Sequence, residues 1–143
     1  MKFTLSLFIC LIFAVKKLNA YCIYNKLDPG AGTFWVRQQP FNAGLNYLSR
    51  FYREALAPGE SACCPYDVKS CVKPQTREDI IYLTLRRTTG IVEYPPVVVS
   101  VPGGGWVSMR GNEAPYEFNI NVYNADGTPF DFEYRVDFQA GYL

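Results

Sequence analysis

Five cysteines and no histidine set the chemistry open to this 143-residue chain. Three of the cysteines fall in ACCPYDVKSC (62–71), two of them adjacent. Without histidine there is no Ser-His-Asp triad, no Cys-His nucleophile, no two-histidine ribonuclease site and no histidine-bearing zinc shell. Neighbouring cysteines on a strand point to opposite faces, and no Cys-x-x-Cys spacing is present. The expectation is therefore a pair of disulfides, with no metal site and no cofactor.

Carboxylates are the remaining catalytic candidates. Asp131, Glu133 and Asp137 alternate with apolar residues in PFDFEYRVDF (129–138) and would share one strand face. A glycosidase needs two such groups flanking a bond, but the wet side of a strand explains these three equally. From Val122, Asn124, Asp126, Gly127 and Glu133 fall at the third, fifth, sixth and twelfth places of a calcium-loop count. Val122 offers no side-chain oxygen, and the flanks alternate as strands do, so Asp126-Gly127 reads as a hairpin turn.

Aromatic residues are the third resource. Setting aside Phe3, Phe8 and Phe13 leaves eleven Tyr, seven Phe and two Trp. Exposed tyrosines present a flat ring and a hydroxyl, which suits stacking on sugars and packing in interfaces. Trp106, Tyr66, Tyr94, Tyr116 and Tyr123 are the expected ligand-contact residues, at turns or on polar faces. In PGGGW (102–106) no helix and no Lys-Ser/Thr pair follows, which excludes a phosphate loop. The glycines predict a turn whose tryptophan re-enters the core; the functional alternative is Trp106 displayed as a platform.

The elements that position these residues begin after an address. Residues 1–20, MKFTLSLFICLIFAVKKLNA, carry a positive start, a short apolar run and a small final residue, the pattern of a secretory signal peptide cleaved after Ala20. The run is too short for a membrane anchor, which takes about 20 apolar residues, and no second one follows. Cleavage removes three of the 14 basic residues and none of the 13 acidic ones, moving the formal charge from +1 to −2. It also removes Cys10, leaving Cys22, Cys63, Cys64 and Cys71, an even set that fits a secreted disulfide framework. Strand parity puts Cys64 with Ala62 and Tyr66 on the core side, which favours Cys22–Cys64 with Cys63–Cys71 over Cys22–Cys63 with Cys64–Cys71. No polybasic patch suggests nucleic acid.

Residues 21–143 form one domain by length. Period-two alternation predicts strands at 22–27, 33–39, 79–87, 94–101, 106–109, 118–122 and 130–138, the last two joined as a hairpin. Residues 42–56 carry both helical and strand spacing, and the surrounding strands favour strand. About eight short strands with Gly/Pro turns predict an all-β, antiparallel β-sandwich or small barrel.

PGESACCPYDVKSC (58–71) and VPGGGW (101–106) resemble segments of small secreted proteins of filamentous fungi. These share a Pro-Gly turn, an Ala-Cys-Cys-aromatic segment, a third cysteine soon after and a later Val-Pro-x-Gly-Gly-Trp turn. The resemblance implies secretion and a β-rich fold; it transfers no activity and no catalytic residue. The leading expectation is a non-enzymatic, effector-like or wall-associated domain that contacts a glycan, a cell surface or an extracellular protein. The alternatives are a membrane-active or self-assembling β-protein and a carboxylate-dependent glycan hydrolase.

Overall fold

The computed structural model describes residues 20–39, 51–111 and 118–137. Residues 1–19 of the expected signal peptide, Tyr116, and 42–50 of the ambiguous stretch lie outside that set. Within it, the alternating segments form nine strands: β1 (Ala20–Leu27), β2 (Thr33–Gln38), β3 (Tyr52–Leu56), β4 (Ser61–Pro65), β5 (Ile80–Thr88), β6 (Val97–Pro102), β7 (Trp106–Gly111), β8 (Phe118–Tyr123) and β9 (Tyr134–Val136). The described end of the ambiguous stretch is thus strand.

The strands make a sandwich, not a closed barrel. One sheet has the order β4-β1-β7-β8 and the other β3-β2-β5-β6-β9. The chain changes sheet after β1, β3, β4, β6 and β8, so the two layers are interleaved along the sequence. All pairings are antiparallel except β1 with β7, which is parallel. The apolar residues of each strand's inner parity fill the space between, including Ile23, Phe34, Leu83, Val99, Val107 and Met109.

The C-terminal hairpin is cut short. Asp126 and Gly127 do form the turn, with Gly127 N donating to Asn124 O and Asn124 N to Thr128 O. Pairing with β8 ends at Tyr123 and Pro129, and the chain then leaves for the other sheet, where β9 pairs with β6. Phe130 and Phe132 pack against the core during this passage. Tyr134 and Val136, on the same parity, emerge exposed. Asp131 and Glu133 therefore precede the strand instead of sharing its face with Asp137.

The disulfides correct the pairing favoured by parity: Cys22 bonds Cys63, and Cys64 bonds Cys71. In β1 the inner positions are Tyr21, Ile23 and Asn25, so Cys22 points outward. Cys63 lies directly opposite it in the β1–β4 register, with Cα atoms 4.1 Å apart. The Cys22 N–H turns away to Gly105 O, so this is a non-hydrogen-bonded pair, where side chains approach closest. Cys64 does face inward, as its parity implies, but its partner is the buried Cys71 of the following loop.

A closed ring of contacts results. Tyr21 and Cys64 are register partners, Cys64 bonds Cys71, Gln38 Nε2 donates to Cys71 O at 2.6 Å, and Tyr21 Oη donates to Gln38 Oε1 at 3.0 Å. It joins both sheets and the 66–79 loop through buried polar groups. Burial holds the Tyr21 phenol far above its ordinary pKa.

Loop-closure entropy gives about 2.5 kcal/mol for the Cys64–Cys71 bond and about 4 kcal/mol for Cys22–Cys63. Together these match the whole stability of many small domains, so reduction is expected to unfold the protein. A thermal melt unchanged by reductant would contradict this. Replacing Tyr21 by Phe removes a buried hydroxyl and its bond to Gln38, at an expected cost of about 1–3 kcal/mol in urea unfolding. Because the folded pKa is raised, stability from Tyr21 is intact below the unfolded value near pH 10 and falls above it, by up to about 1.4 kcal/mol per pH unit. That alkaline slope should be shallower in Tyr21→Phe, where Tyr82 still contributes, read as the urea midpoint against pH.

Candidate functional site

The register of the four-stranded sheet fixes what lies on its outer face. The pairings place Cys63, Cys22, Trp106 and Tyr123 in one row across β4, β1, β7 and β8. Two residues along the strands the row is Ser61, Tyr24, Ser108 and Asn121. Two further along come Lys26, Arg110 and Asn119. The inner parity between them (Ile23, Val107, Val122, Met109) is buried, which is why the outer set is free to vary in chemistry.

Trp106 and Tyr123 are brought together. Their rings stack with centroids 5.2 Å apart and planes 23° from parallel. With one face of its indole against Tyr123, Trp106 borders a groove of about 410 Å³ shared with Cys22, Tyr24, Lys26, Gly104 and Gly105. Trp106 is therefore half-exposed on the outer face and does not re-enter the core as expected.

The glycines before it make the groove and the corner. Residues 103–105 carry the chain from β6 in one sheet to β7 in the other. Gly103 N donates to Asp79 O and Gly104 N to Arg77 O, which pins the crossing to the 76–79 loop. A Cβ on Gly105 would sit 2.2 Å from Tyr123 O, and one on Gly103 would sit 2.8 Å from Thr76 O. Close approach of other backbone, not ligand binding, explains these glycines.

Both cations lean toward the aromatic row. Lys26 Nζ lies 5.4 Å from the centre of the Tyr24 ring. Arg110 Nε lies 3.5 Å from Ser108 Oγ, along the strand toward Trp106. No ion pair joins either cation to an acidic residue among the described residues.

The other expected aromatics serve elsewhere. Tyr66 is half-buried and packs on the core. Tyr94 lies under the buried Arg87, whose guanidinium carbon is 5.1 Å from its ring centre. Tyr116 is outside the described residues. Sequence reasoning missed Tyr24, although the alternation of Tyr21, Ile23 and Asn25 with Cys22, Tyr24 and Lys26 marks it as outward. It also missed Trp35, which meets Tyr52 edge-on at 5.8 Å and donates Nε1–H to its hydroxyl at 3.3 Å. Arg86 covers the Trp35 ring at 5.2 Å and reaches Glu93 at 3.7 Å, so that cluster is already occupied by its own neighbours.

Asp131, Glu133 and Asp137 border neither groove; Glu78 and Asp126 line a second one of about 300 Å³ together with Arg77 and Asn124. Asp126 accepts from Thr128 N and Oγ1, and these bonds hold its carboxyl below the usual range. Glu133 bonds the Tyr82 hydroxyl; burial first, then this carboxylate, raises the Tyr82 pKa. Among the described residues no group of three or more Cys, Asp or Glu is placed to hold a metal ion. No helix among them is long and apolar enough to cross a membrane. No protein-family model matches the chain, and neither the curated proteins nor the solved structures yield a match.

Gly105→Ala tests the corner. The added methyl must displace Tyr123 O or β7 itself, so the urea midpoint should fall by an amount equal to about 1–3 kcal/mol. Trp106 fluorescence should shift with it. An unchanged midpoint and spectrum would show that the backbone yields at no cost.

Proposed function

We propose that the chain is a secreted, non-enzymatic binding domain that holds a glycan on the outer face of its four-stranded sheet. One observation carries the reading: Trp106 is braced on one face by Tyr123 and borders an open groove with Tyr24 beside it. A flat apolar ring held rigidly costs little entropy on binding and matches the apolar face of a pyranose. Asn119, Asn121 and Ser61 supply amide and hydroxyl groups on the same face for sugar hydroxyls. The two disulfides suit an oxidising compartment, which supports secretion, as do the apolar leader and the fungal-protein motifs. The separation of Asp131, Glu133 and Asp137 from this groove favours binding over hydrolysis.

The expected outcome is retention on at least one polysaccharide of a panel of chitin, β-glucan, cellulose and pectin. Trp106→Ala should weaken it about tenfold, the scale of one lost stacking contact. Retention on none of them, or retention indifferent to Trp106→Ala, would refute a glycan site on this face.

A second reading, self-assembly, has its own observation. β9 is an edge strand of three exposed residues, with Tyr134 at 55% and Val136 at 44% exposure. Open edges with apolar side chains can pair with another copy. Size-exclusion elution that shifts with concentration, and stops shifting in Val136→Lys, would favour it.

A further inference from the structure

The glycan reading leaves the ligand's charge open, and the outer face bears on it. Lys26 and Arg110 are register partners on the parallel strands β1 and β7. They lie four residues along from Cys22 and Trp106, or about 13 Å at the usual rise of a strand. An extended chain of a few sugar units, stacked on Trp106 and running along β1 and β7, would meet both.

The charged outward positions on the described strands of this face are both basic. Among the described residues its outward strand positions are Ser61, Cys63, Cys22, Tyr24, Lys26, Trp106, Ser108, Arg110, Asn119, Asn121 and Tyr123, none of them acidic; exposed Asp28 follows Lys26 at the same parity, just past the end of β1. The chain from Tyr21 onward carries an acidic excess, 13 acidic residues against 11 basic ones. Both cations are exposed, with the Lys26 ammonium beside Tyr24 and the Arg110 guanidinium beside Ser108 of the middle row. Arg110 presents a planar fork that matches a carboxylate or sulfate, and Lys26 a compact charge beside it. A neutral sugar would leave both without counter-charge; an anionic one would complete them.

Resting on the glycan reading of the same groove, we propose that the ligand is an acidic polysaccharide, one carrying carboxylate or sulfate groups along its chain. Trp106 stacks on a ring while Lys26 and Arg110 take an acidic substituent a few units on. Carboxylate and sulfate are alike to these two side chains, and the choice of polymer separates them.

Affinity electrophoresis tests this with the full mature chain in gels containing polygalacturonate, dextran sulfate or neutral β-glucan. The proposal expects retardation by one or both anionic polymers, at least tenfold weaker in K26Q/R110Q. Trp106→Ala should weaken it as well, and salt at about 0.5 M should suppress it by screening. The variant K69Q/K73Q removes the same charge from exposed positions in the 66–79 loop, outside the strands of this face, and should bind as wild type. Circular dichroism of each variant confirms that it is folded. Binding weakened by Trp106→Ala but unchanged by K26Q/R110Q overturns the acidic ligand and keeps the glycan groove. Equal losses in K26Q/R110Q and K69Q/K73Q, with Trp106→Ala silent, mean ion exchange only and overturn both.

Discussion

The register between β1 and β4 is the constraint on which the rest of the structure depends. Cys22 and Cys63 face each other as direct partners and are bonded, so the pairing cannot slip. A slip of one residue would turn every β1 side chain to the other face. Tyr21, Ile23 and Asn25 would leave the core, and Cys22, Tyr24 and Lys26 would enter it. The same strand sets β7 in parallel, with Cys22 N donating to Gly105 O at 3.1 Å. Through that bond the disulfide fixes where Trp106 stands, and through Trp106 it fixes the groove.

Inside the sandwich the layers are joined by polar groups as well as apolar packing. Asn25 is buried in β1, donates Nδ2–H to Leu56 O of β3 at 2.8 Å, and accepts from Leu27 N at 3.1 Å. Arg87 is buried in β5 and donates Nε–H to Ala31 O at 2.7 Å, across the β1–β2 turn. With the Tyr21–Gln38–Cys71 chain, these bonds require one relative placement of the two sheets, which a purely apolar interface would leave less defined. Deleting any one partner strands a buried polar group, and the cost of that exceeds the bond's net worth.

Much of this was legible in the residues, and the limits have a common cause. Alternation in AYCIYNKL, TFWVRQ and IIYLTLRRT marks strands and their inner faces correctly, because parity is a local property. Parity does not say which strand lies alongside. It therefore places Cys64 inward and Cys22 outward but cannot show that Cys63 lies opposite Cys22. It groups residues 118–138 as one hairpin because nothing local marks Pro129 as the point of departure for the other sheet. The PGGGW segment reads as a turn, yet its role as a sheet-to-sheet corner depends on Asp79 and Arg77 carbonyls from a distant loop. The groove was least legible: Tyr24 and Trp106 are 82 positions apart, and only the parallel β1–β7 pairing makes them neighbours.

The two outer faces of the sandwich differ in how far their side chains satisfy one another. On the five-stranded sheet, Trp35 bonds Tyr52 and lies under Arg86, Arg86 reaches Glu93, Gln39 bonds Thr84, and Glu133 bonds Tyr82. Donors there meet acceptors, and cations meet rings or carboxylates. On the four-stranded sheet the Lys26 ammonium rests near a tyrosine ring and Arg110 on a hydroxyl at the edge of bonding distance. Among the described residues, Asn119 and Asn121 make no side-chain hydrogen bond. A surface that has already spent its polar groups on itself gains little by binding. The face whose rings are braced and whose polar groups are uncommitted gains most, because ligand contacts there replace water without breaking bonds within the protein.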